Sequence, residues 1–289
     1  MNFLDIKTDF AFKKVFGSEG SKDLLISFLN SVIAFDQQQT ITDLTIVDPY
    51  SIPLLKGMKD TFVDVKAVLS DNTKVIIEMQ VLNHAGFEKR VLYNAAKNYS
   101  QQLKKGDAYH LLNPVIALTI TDFILFKNTD ELINNFKLLE KNHFIQYNDD
   151  IELIFIELPK FHKTEPELSS IQDKWLYFIK NAGNLSYVPK NLNQELEKAF
   201  NIANEANLSE EELELQHKKK DFIYIQKSSI EFATKTGMEQ GIEQGMAQGE
   251  WQEKLKIIEN ANRMGLPMQT IIELTGLDEE KISSLLPKS

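Results

Sequence analysis

Apolar residues recur at near-helical spacing through residues 8–33, at Phe10, Phe12, Val15, Phe16, Leu24, Leu25, Phe28, Leu29 and Val32. This spacing predicts an amphipathic helix. Thr8 or Asp9 can cap its start, and GSEG at 17–20 divides it into two pieces. The pattern then changes period. TITDLTIVD (40–48) alternates and is β-branched, and DTFVDVKAVL (60–69) and TKVIIEMQV (73–81) are two stronger strand signals. Residues 87–105 return to helical spacing and stop at Gly106. The apolar run 114–126 has the character of a strand buried on both faces. The predicted order is therefore helix, strand, strand, strand, helix, strand.

Further strands are predicted at 143–147 and 151–161, and helices at 171–182, 194–207 and 210–235. A four-residue repeat follows, with Gly237, Gly241, Gly245 and Gly249 separated by MEQ, IEQ and MAQ. Each glycine costs a helix in water roughly 1 kcal/mol, which suits a weak helix or linker; a self-association stripe is the sharper reading. Interleaved Glu and Gln argue against a membrane motif. The last forty residues read as two or three short helices broken at 264–267 and 275–278. They could mimic a helix-turn-helix, but Asp278, Glu279 and Glu280 would repel phosphate, so partner or self-binding fits them better.

The two strong strands form a hairpin whose register follows from its side chains. A two-residue loop pairs residues whose numbers sum to 143 and mixes charged and apolar groups on both faces. A three-residue loop, Ser70-Asp71-Asn72, gives a sum of 142 and sets Val63, Val65, Ala67 and Leu69 with Met79, Ile77, Val75 and Thr73. Segregation of this kind fixes register, and Asn72 tolerates the left-handed conformation that such a loop needs at its end. Continued to the end of the hairpin, this register puts Asp64 opposite Glu78, with Gln80 on the same face. Facing carboxylates repel unless something offsets the charge. A hard divalent cation does so, and it could also activate water against a phosphodiester. The bland alternative is a solvated face on which these acids pair with Lys66 and Lys74.

The pattern Asp64-(x13)-Glu78-Met79-Gln80 lies between a helix opening TDFAFKKVF and a helix carrying Arg90, Tyr93 and Tyr99. It resembles the PD-(D/E)XK nuclease superfamily and, within it, the Rpn-like recombination-promoting nuclease or putative transposase family. LKGMKDTFVDV, GDAYHLLNPVIALTITDF, IELPKF, DKWLYF and the GMEQGIEQG tail extend the likeness over most of the chain. The resemblance implies an α/β, restriction-endonuclease-like core with a central mixed sheet flanked by helices and a helical C-terminal extension. It implies a core over 1–180, a helical extension over 181–235 and a Gly-repeat segment with a small helical tail over 236–289. It further implies a DNA endonuclease dependent on Mg²⁺ (or Mn²⁺ or Ca²⁺) and linked to recombination or mobile elements; a catalytically inactive DNA-binding or assembly module is the alternative. Nothing in the residues points to strand-transfer chemistry. Asp64 and Glu78 are the metal and catalytic candidates, Asp9 is a further metal candidate, and Gln80 would position water or phosphate. The superfamily ends its third motif in lysine where this chain has Gln80, and Lys66 is a candidate to supply that charge. Arg90, Lys89, Tyr93 and Lys13 are candidates for DNA contact. Asp60 reads as a strand-start residue.

Charge qualifies this picture. The formal net charge is −10. Residues 1–130 hold 14 basic against 15 acidic side chains, and the remainder 18 against 27. The core lacks the basic footprint of a non-specific DNA binder. Binding would draw on a local patch from Lys13, Lys14, Lys89, Arg90, Lys97, Lys104 and Lys105. Without cysteine there is no disulfide, thiolate site or cysteine nucleophile. The five histidines (84, 110, 143, 162 and 217) lack metal-ligand spacing. The opening MNFLDIKTDF has no signal-peptide character, and the apolar runs are too short to cross a bilayer. The expectation is a cytoplasmic protein whose partner is DNA, with no membrane association and with self-association through the tail as an option.

Overall fold

Thr8 caps the first helix, its hydroxyl accepting the N–H of Ala11, so α1 (Asp9–Phe16) starts where the pattern places it. A short turn at 19–21 separates it from α2 (Lys22–Val32), which matches the predicted break. The computed structural model describes residues 1–35, 40–51 and 61–286. These fall into two units, 1–225 and 226–289.

In the first unit, β1 (Leu44–Val47), β4 (Val65–Leu69) and β5 (Lys74–Gln80) form an antiparallel run. Between them, β2 (Tyr50–Ser51) and β3 (Thr61–Phe62) pair as a separate ribbon. Helix α3 (Phe87–Ser100) then crosses to β6 (Val115–Thr121), parallel to β5. β8 (Ile151–Glu157) continues in parallel, and β7 (Ile133–Phe136) closes the edge antiparallel. The result is a mixed six-stranded sheet in the order β1-β4-β5-β6-β8-β7. All seven residues of β6 are buried, as its unbroken apolar run requires.

Alternation along β5 sends its side chains to two cores. Val75, Ile77 and Met79 join a large core with α1, α2, α4 (Ile171–Asn181) and α5 (Gln194–Ala203), centred on Phe12, Phe16, Phe28 and Trp175. Ile76 joins a smaller one under α3, with Phe87, Val91 and Ala95. Burial of a large apolar side chain contributes about 1.5–3 kcal/mol, so the two layers hold the end of β5 from both faces.

Predicted and observed elements differ in several places; among them, the apolar runs 114–126 and 151–161 pair as strands only over Val115–Thr121 and Ile151–Glu157. The 60–69 strand is interrupted between β3 and β4, and Asp60 lies outside the described residues. Helix α3 ends at Ser100 rather than 105, because the Gln102 side chain turns away to bind Asn113 through its backbone N–H and carbonyl. The segment 143–147 is not a strand: Phe144 is left-handed and Glu140 accepts the N–H groups of Asn142 and His143 in a tight turn. Residues 133–136 supply the added strand instead; their paired asparagines have weak strand propensity, and only the edge of β8 selects them.

The 210–235 helix is the start of α6 (Glu210–Arg263), which runs unbroken through the glycine repeat. Abundant Glu, Gln, Met and Lys around the glycines offset their cost. In the second unit, the end of α6 packs with α7 (Met268–Thr275) and α8 (Glu279–Leu285) through Ile258, Ala261, Ile271 and Ile282. Among the described residues no helix is long and apolar enough to cross a membrane.

Candidate active site

The hairpin has the predicted register: Val65, Lys66, Ala67 and Val68 pair with Ile77, Ile76, Val75 and Lys74. Asn72 takes φ 69°, and Asp71 accepts the N–H of Thr73, which closes the three-residue loop.

At the far end the ladder stops at Val65, and here the predicted Asp64–Glu78 facing pair gives way. Asp64 donates its N–H to the carbonyl of Ile77 (3.0 Å), the residue already paired with Val65. Two residues thus oppose one, the arrangement of a β-bulge. The bulge reverses the alternation, so Val63 packs with Ile76 under α3 instead of beside Val65. It also frees the Asp64 carboxylate from the face of Glu78. One oxygen accepts the N–H of Met79 at 2.8 Å, and the other lies 3.4 Å from the Lys13 ammonium of α1.

Glu78 keeps its place on the α3 side of β5. Arg90 of α3 donates one guanidinium nitrogen both to Glu78 and to the side-chain carbonyl of Gln80, the latter at 2.6 Å. Gln80 in turn donates to the carbonyl of Leu82 (2.7 Å), so both ends of its amide are held. Asn94, one turn beyond Arg90, also hydrogen-bonds Glu78. The carboxylates therefore reach the end of β5 from opposite layers, Asp64 with α1 and Glu78 with α3.

Both carboxyls hold their protons more tightly than usual. Burial is the main cause for Asp64, opposed by the Met79 N–H and Lys13 and reinforced by the charge of Asp9. Burial also leads for Glu78; Arg90 opposes it and the Asp64 charge adds to it. Carboxyls short of water, each with a like charge nearby, favour the approach of a cation.

Asp64, Glu78 and Gln80 open onto one cavity of about 260 Å³. Lys7 and Asp9 also line it, and α6 contributes Lys219, Phe222 and Ile223. Asp9 is thus brought to the site but pairs with Lys219 at 3.0 Å. Lys66 is not among the lining residues; it is half-buried on β4, where the charges it feels are those of Asp48 and Lys74. Lys89 and Tyr93 lie exposed on α3 away from the lining, whereas Lys97, counted among the available cations, is buried. The contributions of Asn94, Lys7, Lys219 and Phe222 were not legible in the sequence. A lysine 210 residues from Asp9 carries no local signal, and a phenylalanine three positions after it on a predicted helix is only a weak one.

With Asp9 engaged by Lys219, the donors left at this cavity are the oxygens of Asp64, Glu78 and Gln80, which suit hard Mg²⁺ or Mn²⁺ better than a thiolate-seeking metal. Among the described residues no three His, Cys, Asp or Glu side chains converge to hold an ion by themselves. Two carboxylates match the pattern in which substrate phosphate and water complete a magnesium shell.

No curated protein and no solved structure matches the chain. A family model does, that of the PD-(D/E)XK nuclease family transposases, over residues 6–233. This span takes in α1, the hairpin, α3 and the part of α6 that lines the cavity. With the mixed sheet and the carboxylate-lined end of β5 accounted for, the chain belongs to the PD-(D/E)XK nuclease family transposases.

Proposed function

We propose that this chain is a metal-dependent DNA endonuclease that hydrolyses phosphodiester bonds in recombination or the movement of genetic elements. The observation that carries the reading is the pair of largely covered carboxylates, Asp64 and Glu78, meeting at one cavity with raised proton affinity and with cations behind each. Asp64 and Glu78 would hold Mg²⁺ or Mn²⁺. Such an ion, when bound, polarises a phosphodiester and makes water a nucleophile near neutral pH. The chain's own residues do the rest. The Met79 N–H fixes the Asp64 carboxylate, and Arg90 fixes Glu78 and Gln80 together. Lys13 supplies positive charge beside Asp64, which the superfamily's motif lysine would otherwise bring from position 80. Gln80, held at both ends, is a positioning residue in this scheme.

The test is plasmid nicking in Mg²⁺, Mn²⁺ or EDTA, with Asp64→Asn and Glu78→Gln alongside. The expected result is nicking that needs the metal and is lost in both variants. Cleavage surviving both substitutions would overturn the site. A second reading, a non-catalytic DNA-binding or assembly module, is favoured by one observation: Arg90 and Lys13 already neutralise the carboxylates. Intact DNA binding without cleavage by the wild type would select it.

A further inference from the structure

The start of α6 does more than extend the chain. Residues 212, 216 and 219 follow one helical stripe, and each is tied to α1 or its cap. Glu212 pairs with Lys14, Gln216 accepts the Thr8 hydroxyl at 2.9 Å in a buried contact, and Lys219 pairs with Asp9. The next residues on this side, Phe222 and Ile223, line the same cavity as Asp64, Glu78 and Gln80. Phe222 is 57% exposed although it is a large aromatic side chain beside a charged site. Lys219 is about half-exposed, and an exposed ion pair of this kind contributes little to stability. Its ammonium can therefore exchange Asp9 for a phosphate at small cost.

We propose that Lys219 and Phe222 form a nucleotide-binding wall of the cavity, Lys219 taking a backbone phosphate and Phe222 stacking on the adjacent base. An aromatic face needs an exposed base face, and in a continuous duplex those faces are covered by their neighbours. The wall thus selects DNA that is single-stranded or frayed next to the cleaved bond. Stacking on an aromatic side chain is sequence-tolerant, while a lysine contact with phosphate carries no sequence information. The inference rests on the nuclease reading for its substrate class, but its contacts involve neither Asp64 nor Glu78.

The test is equilibrium binding of a fluorescein-labelled 12-nucleotide single strand, and of its blunt duplex, to the full chain in EDTA at two salt concentrations. Binding is thereby read apart from cleavage. The wild type is expected to prefer the single strand. Phe222→Ala is expected to weaken single-strand binding roughly five- to hundredfold with little change for the duplex, while Phe222→Trp retains it. Lys219→Ala is expected to weaken both probes and to lower the single-strand salt slope by about 0.7. Phe232→Ala, an exposed aromatic further along α6, serves as control. Duplex preference by the wild type, or unchanged single-strand binding by Phe222→Ala, overturns the proposal. Binding as expected without metal-dependent nicking sinks the nuclease reading and leaves the wall standing; nicking with indifferent Phe222 and Lys219 variants does the reverse.

Discussion

Replacing Asp64 separates two roles that its carboxylate combines. It accepts the Met79 N–H at 2.8 Å, and it holds a largely covered charge whose proton affinity is raised mainly by desolvation. Asp64→Ala and Asp64→Asn both remove the charge, but only alanine removes the acceptor. Met79 is 5% exposed, so its N–H loses its partner at a largely covered edge of the cavity. An orphaned buried donor costs about 1–3 kcal/mol, and alanine should be less stable than asparagine by that amount. For a unit of about this size the difference is a melting shift of roughly 2–12 °C.

The comparison with wild type adds a pH signature. The folded-state pKa of Asp64 lies above the ordinary 3.8, so the folded protein binds the proton more tightly than the unfolded chain does. This contribution to stability is fully present below the ordinary value and is lost as pH rises through the raised folded value. Asp64→Asn should therefore gain on wild type from acid towards neutral pH. Urea melts of the three proteins from pH 3.5 to 8, run beside the nicking assay, measure both effects. Equal midpoints for alanine and asparagine would refute the hydrogen-bond argument. A gap between asparagine and wild type that does not change with pH would refute the desolvation argument.

Arg90→Met releases both Glu78 and Gln80, so nicking should fall about 10–100-fold, as for loss of groups that orient metal ligands. Glu78 would hold its proton still more tightly, and the acidic limb of the pH–rate profile should move to higher pH. Lys160→Met strands the fully buried Glu157, which also accepts the N–H groups of Leu125 and Phe126; a loss of about 3–5 kcal/mol is expected in a urea melt. Adding Glu157→Gln should recover part of that loss, and no recovery would show that the carboxylate tolerates isolation. In the tail, a Cβ at Gly241 meets nothing, so Gly241→Ala should favour the helix by about 1 kcal/mol, read as slower amide hydrogen exchange around 237–249.

The parts legible in the sequence are those decided by local periodicity. Binary pattern gave α1 and α2 with their break, the doubly buried β6 and the hairpin register, because each residue's face follows from its neighbours two or four positions away. Within that reach, the chain named Asp64, Glu78 and Gln80 as companions. Local pattern failed where a distant partner chose the conformation. Residues 133–136 became a strand because β8 had an open edge, and α3 stopped early because Gln102 found Asn113.

The site shows the same division. The sequence by itself set the hairpin, its loop and the acids near its end. Only the tertiary structure decided that a bulge turns Asp64 towards Lys13 while Glu78 stays with Arg90, so that the two acids meet at a cavity instead of across a strand pair. It also decided that Lys219 stands beside Asp9. A bulge trades one ladder position for a better buried environment, and a contact spanning 210 residues exists only once both helices have packed; neither leaves a periodic trace in the chain.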